Sequence, residues 1–236
     1  MAAPKPGSGP QEASVGERGI LEAWKQNAAP WTEVVRSGRI ASRIRVTDRA
    51  IVDAILALQP STVLDLGCGE GWLARTLAEH GVAVTGVDAV PELIEAARRA
   101  GGGEFRVVRY DELGATIPGG GADVVTCNFS LLGEVSVEAV FVAVEKLLAP
   151  GGTFVVQTQH PLAACGDEPY TDGWRAGSWS GCGNGFGTPA PWYFRTLGGW
   201  LRLFRRHGLR LADLQEPLDP DSGRPASVIF AAEAAA

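Results

Sequence analysis

The sequence predicts an α/β fold: a doubly wound, mostly parallel sheet with helices on both faces, a helical segment before it and a long aromatic cover near its end. Three observations predict it. Short apolar runs that read as buried strands alternate with amphipathic stretches of helical period. Glycine and proline punctuate most junctions between them. With 236 residues, 45% of them hydrophobic, the chain can bury a full core.

The elements follow in order. Residues 1–19, rich in Pro, Gly, Ser and Ala, read as a disordered tail, and 20–236 as one domain. Ile20 to Arg36 reads as partly helical and carries Trp24 and Trp31. Thr47 precedes DRAIVDAILAL, where Ile51, Ile55 and Leu58 recur at helical spacing behind a threonine cap, and Pro60 stops the helix. TVLDL is a buried strand, and GWLARTLAEH a helix ending at Gly81. VAVTGVD is a second strand, and Pro91 to Ala100 a helix with proline in its first turn. EFRVVRY and ADVVTCN are the third and fourth strands. Val135 to Leu148 is a helix closed by Pro150 and Gly151-Gly152, and TFVVQT the fifth strand. Leu197 to His207 is a helix; LRLADLQEP and ASVIFAAE are the last strands. Ligands of such sheets bind at the carboxyl ends of the strands, near the point where strand order reverses.

Composition excludes several classes. A net charge of -6 and a pI near 5.2 disfavour nucleic acid as a partner. No apolar run is long enough to span a bilayer, and the first residues carry no apolar stretch of a secretion signal. Cys68, Cys127, Cys165 and Cys182 form no CxxC pair, so free thiols in a cytoplasmic protein are expected. Cys165, Cys182 and His160 share one region with irregular spacing, and no metal site is expected there.

The stretch VLDLGCGEGW carries the chemistry. A dinucleotide turn needs a third glycine three residues after Gly69, and that position is Trp72. Asp65 at the strand end would repel a pyrophosphate but suits an ammonium, while the glycines let backbone approach the ligand. A nucleoside joined to an amino acid fits this turn better than a dinucleotide does.

These residues resemble the class I S-adenosylmethionine-dependent methyltransferases, small-molecule type. VLDLGCGEG resembles the family's first motif, VTGVDAVPELIEAAR its second, and LLAPGG before TFVVQT its turn into the fifth strand. The resemblance covers residues 45–160 and implies a Rossmann-like sheet of seven strands, the last antiparallel. It implies S-adenosyl-L-methionine as methyl donor, with Asp65, Gly67, Cys68 and Gly69 in the turn and Asp88 and Ala89 at the ribose. Relatives place an acid after strand three; here Arg109 stands at that place, so Asp111 or Glu112 is the candidate at the adenine, with Tyr110 on the purine. Asn128 lies where relatives line the donor pocket, without the prolines of nucleobase amino-methylases. Arg43, with Arg45 as competitor, is the candidate for the methionine carboxylate.

Residues 20–45 are read as a cap and 160–195 as a substrate-covering insertion. The insertion holds seven aromatics, including Trp174, Trp192 and Tyr193. A connection this long is usually functional or disordered, and its aromatic content favours order. Trp24 and Trp31 are candidates to roof the acceptor, and Arg175 and Arg195 to meet an anionic one. His160, directly after strand five, is the candidate general base, with an unperturbed pKa near 6.5. It tilts the expectation toward an oxygen acceptor, the alternatives being N- or C-methylation of a small molecule and a non-catalytic S-adenosylmethionine-binding protein. Oligomeric state stays open.

Overall fold

The computed structural model describes residues 10–116 and 121–234. Seven strands form the main sheet: β1 (Thr62–Leu66), β2 (Ala83–Asp88), β3 (Glu104–Val107), β4 (Ala122–Asn128), β5 (Leu148–Gln159), β8 (Leu209–Gln215) and β9 (Ser227–Ala234). Their order is β3-β2-β1-β4-β5-β9-β8. Parallel pairing joins β3 through β5, and β9 runs antiparallel to both β5 and β8. The chain therefore reverses direction of growth at β1, between β2 and β4.

Side-chain alternation divides the core. Val63, Val124, Val155 and Ile229 face α2 (Asp48–Leu56), α3 (Trp72–Glu79) and α4 (Pro91–Ala100). Leu64, Val125, Phe154 and Phe230 face α5 (Leu113–Thr116), α6 (Val135–Leu147) and α8 (Leu197–Arg206). Both faces of the parallel strands are buried, which is why these strands read as unbroken apolar runs.

The first helix departs from expectation. Helix α1 runs Pro10–Arg36, so the tail expected to lack structure is helical from Pro10; residues 1–9 lie outside those described. Tertiary contacts explain the difference. The Glu17 carboxylate accepts from the backbone N–H of Glu134 and Val135, both at 2.7 Å, and of Ser136 at 3.2 Å. It thereby satisfies the free N–H groups at the start of α6. Thr47 also corrects its expected role. It ends a π-helical turn, Arg43–Thr47, in helical conformation and makes no side-chain cap.

The cover is ordered and built on its own hydrogen bonds. It contains the short helix α7 (Pro161–Cys165) and the hairpin of β6 (Gly173–Arg175) with β7 (Trp192–Phe194). Buried Asn27 of α1 accepts from Gly187 N–H at 2.7 Å and donates to the Thr188 carbonyl at 3.2 Å, tying cover to helix. Among the described residues no helix is long and apolar enough to cross a membrane.

Candidate active site

The glycine turn sits at the carboxyl end of β1 and leads into α3. Gly67, Gly69 and Gly71 all take positive φ (76°, 58° and 81°). A Cβ on Gly67 would lie 2.4 Å from the Ser130 Cβ and 2.6 Å from the Tyr110 hydroxyl, so only glycine fits. The N–H groups of Gly67 and Cys68 donate to the Val87 carbonyl at 2.7 and 3.0 Å, which fastens the turn to β2.

Asp65 and Asp88 face this turn from neighbouring strands. Asp65 is buried and its Oδ1 has no hydrogen-bond partner in the chain. Burial, with the nearby charge of Asp88 adding, pushes its carboxyl up to about 7. Asp88 accepts from Gly69 N–H at 3.0 Å and Val90 N–H at 2.9 Å, one on each oxygen. Burial raises its carboxyl to about 6, opposed by the N–H groups of Val90, Gly69 and Ala89. A carboxylate has about four lone-pair sites, so Asp88 keeps capacity for further donors.

Arg43 closes the other side. Its guanidinium lies 4.6 Å from the Trp72 ring centroid and 5.8 Å from that of Trp31. Its Nε donates to Asp48 at 2.9 Å, and its Nη2 is buried without a partner. The competitor Arg45 pairs instead with Asp219 and Asp221 at the surface. Trp31 reaches the turn itself: its Nε1 lies 3.7 Å from where a Gly69 Cβ would stand. Trp24 meets Trp31 edge-on at 5.1 Å, and Trp179 of the cover joins them at 5.5 and 6.4 Å.

Beyond β3 and β4 the picture is mixed. The Tyr110 hydroxyl donates toward the carbonyls of Leu66 and Ser130, each at 3.3 Å, and walls the turn. Asp111 is exposed and pairs with Arg109 at 3.0 Å, while Glu112 accepts from the Arg109 N–H. Asn128 ends β4 with its Oδ1 buried and unpartnered. Phe129, next in the chain, holds φ 53° without being glycine, a strained conformation of the kind that accompanies functional sites.

The expected substrate contacts of the cover make contacts within the chain. Arg175 donates to the carbonyls of Cys165 and Pro169 and lies 3.6 Å over the Phe194 ring. Arg195 is buried, donates to the carbonyls of Gly133 and Glu134, and packs on Tyr193 and Trp200; burial lowers it to about 10. Trp174 donates to Glu134 and packs edge-on against Tyr193, as Trp192 does against Phe194. The expected base is likewise occupied. His160 is buried, its Nε2 lies 2.7 Å from Glu216, and its Nδ1 accepts from Leu162 N–H at 3.3 Å as the cap of α7. Both ring nitrogens are thus engaged within the chain, one with Glu216 and one as the cap of α7.

Sequence reasoning missed Glu70, Ser130, Trp72 and Trp179. Glu70 is buried within the turn between Arg36 (2.7 Å) and Arg75 (2.7 Å). The spacing of Glu70 and Arg75 at the head of a helix was a visible signal; Arg36 was not. Among the described residues no His, Cys, Asp and Glu cluster could hold a metal ion.

Comparison with known proteins agrees with this geometry. Residues 41–214 match the family model described as a methyltransferase domain. A ubiquinone biosynthesis O-methyltransferase of Xanthomonas campestris is 38% identical over 112 residues, 45% of this chain and 46% of that protein. A demethylmenaquinone methyltransferase of Thermus thermophilus is 37% identical over 113 residues, 46% and 51% of the two chains. The chain thus spans about half the length of the curated relatives it matches. In fold it is similar to the 1,6-didemethyltoxoflavin-N1-methyltransferase of Burkholderia thailandensis (TM-score 0.66, 20% identity, 99% of this chain and 94% of that one). It is also similar to a methyltransferase of Mesorhizobium loti (TM-score 0.58, 24% identity, 76% and 95%). With the family model spanning most of the chain over the turn, both acids and the fifth strand, the protein belongs to the methyltransferase-domain family, of the S-adenosylmethionine-dependent class I type.

Proposed function

We propose that this protein transfers a methyl group from S-adenosylmethionine to a small-molecule acceptor. One observation carries the reading: a buried acid without a partner and a buried guanidinium nitrogen without a partner flank the same glycine turn. An unpaired charge inside a protein is costly, so each calls for a complement. An amino-acid group supplies an ammonium for Asp65 and a carboxylate for Arg43. Asp88 has acceptor capacity left for ribose hydroxyls, and Gly67 leaves the room a side chain would fill. When bound, S-adenosylmethionine supplies a methyl already activated on sulfur. The chain's part is to orient the acceptor and keep water out, which can be worth about 7–11 kcal/mol. Trp24, Trp31 and Trp179 provide the exclusion.

The acceptor atom is proposed to be oxygen, on the named activity of the Xanthomonas relatives; His160 lends it no support. Four free cysteines fit work in the cytoplasm. A role in specialised-metabolite biosynthesis remains part of the proposal. The test is calorimetry of the full chain with S-adenosylhomocysteine and with NAD. Binding of the first alone is expected; binding of NAD alone overturns the reading.

A further inference from the structure

The carboxyl edge of the sheet carries a row of polar side chains that begins at Asp65 of the donor site and runs past it to Gln157. Four side chains share the α2 face near its carboxyl edge: Asp65 on β1, Thr126 and Asn128 on β4, and Gln157 on β5. Register places them together, because Asp65 pairs with Thr126 and Asn128 with Gln157. Paired residues of parallel strands point to one face, and residues two apart do likewise. In each case an oxygen is left without a hydrogen-bond partner: the acceptors Asp65 Oδ1, Asn128 Oδ1 and Gln157 Oε1, and the Thr126 hydroxyl.

Gln157 is the most constrained of them. It is 1% exposed. Its Nε2 donates to the Ser227 hydroxyl at 2.9 Å and to the Thr47 carbonyl at 3.2 Å. Turning the amide over would set its oxygen against the Thr47 carbonyl oxygen and lose that bond, so the nitrogen stays there and the oxygen is left without a partner. Phe129 N–H donates to the Gln157 carbonyl at 2.8 Å, which binds the strained end of β4 to the same residue. Meanwhile Arg175 and Arg195, the cations of the cover, are consumed by backbone carbonyls.

We infer that Gln157 and Asn128 form the polar part of the methyl-acceptor subsite, and that this subsite selects an uncharged acceptor with two hydrogen-bond donors and rejects an anion. The inference rests on the methyl-transfer reading. A site with buried oxygens rejects an analogue that lacks the donor, since the oxygens then stay desolvated and unpaired. Adjacent strands lie about 4.7–4.9 Å apart, a spacing that the two hydroxyls of 1,3-dihydroxybenzene match.

The test loads the full chain with S-adenosylhomocysteine and measures three probes by ligand-observed NMR titration: 1,3-dihydroxybenzene, 1,3-dimethoxybenzene and 3-hydroxybenzoate. The diol is expected to bind at least about tenfold more tightly than the diether or the benzoate. Gln157→Leu should bring the diol down to the level of the diether while S-adenosylhomocysteine binds as before. Gln157→Met, closer in shape, serves if the leucine variant does not fold. Equal binding of diol and diether, no diol binding at millimolar concentration, or an unchanged preference in the variant would each overturn the inference. Failure of these with S-adenosylhomocysteine still bound leaves methyl transfer standing; loss of S-adenosylhomocysteine binding by the native chain overturns both.

Discussion

Single residues here are governed by whether their charge has a partner. Arg43 spends Nε on Asp48 and stacks on Trp72, yet leaves Nη2 free. A hydrogen bond to a charged group is worth about 1.5–3 kcal/mol, so Arg43→Ala should weaken S-adenosylhomocysteine binding about ten- to hundredfold by calorimetry. Asp65 makes a pH prediction. Its folded carboxyl titrates at about 7 and an unfolded one near 3.9. The folded state therefore holds the proton more tightly, so this group's contribution is complete below about pH 4 and is lost as pH rises through about 7. Without ligand, Asp65→Asn should gain Tm over the native chain, and the gain should grow from about pH 5 to about pH 8. A constant difference across that range would refute the assignment. His160 belongs to the same scale. Loss of its cap and of the Glu216 contact should cost His160→Ala about 0.5–2 kcal/mol in urea unfolding and leave S-adenosylhomocysteine affinity in place. Asp65 and Asp88 were legible because strand-end acids are set by local pattern. The contact of His160 was not legible locally, because its partner, Glu216, follows β8, 56 residues on in the chain.

At the scale of elements, α1 shows how composition misleads. Glycines suggested a tail without structure, yet two of them are packing sites. A Cβ on Gly16 would lie 2.5 Å from the Trp174 ring, and one on Gly19 3.0 Å from the Pro191 ring. The helix pays for these glycines with tertiary contacts, chief among them the Glu17 carboxylate at the start of α6. Glu17→Ala should destabilise the fold by about 0.5–2 kcal/mol, the range for a lost N-terminal cap. Urea denaturation reads it, and an unchanged midpoint would show that solvent satisfies those N–H groups equally well. By contrast α3, α4, α6 and α8 were found in the sequence within a residue or two. Each carries its own apolar stripe and its own stop signal, so nothing distant was needed to define it.

For the whole molecule, residues 160–195 and α1 are tied together beside the glycine turn. Asn27 bonds to the cover, and Trp24, Trp31 and Trp179 interlock above Gly69. Ligand binding should therefore slow amide exchange in both segments together, while strands β1 and β4 change little. Hydrogen exchange with and without S-adenosylhomocysteine checks this, and protection confined to either segment would show that they move independently. Sequence by itself determined the order of the main-sheet strands and of the helices α3, α4, α6 and α8 among them, and the acid-flanked glycine turn. Those rest on periodicity, turn chemistry and charge within about ten residues of chain. Tertiary structure alone decided which polar groups meet. Glu17 reaches Glu134 across 117 residues, Gln157 reaches Thr47 across 110, and Asn27 reaches Gly187 across 160. Hydrogen bonds act over a few ångströms in space, so no local pattern records them. For that reason the same cover arginines that looked free to meet a substrate are held by the chain's own carbonyls.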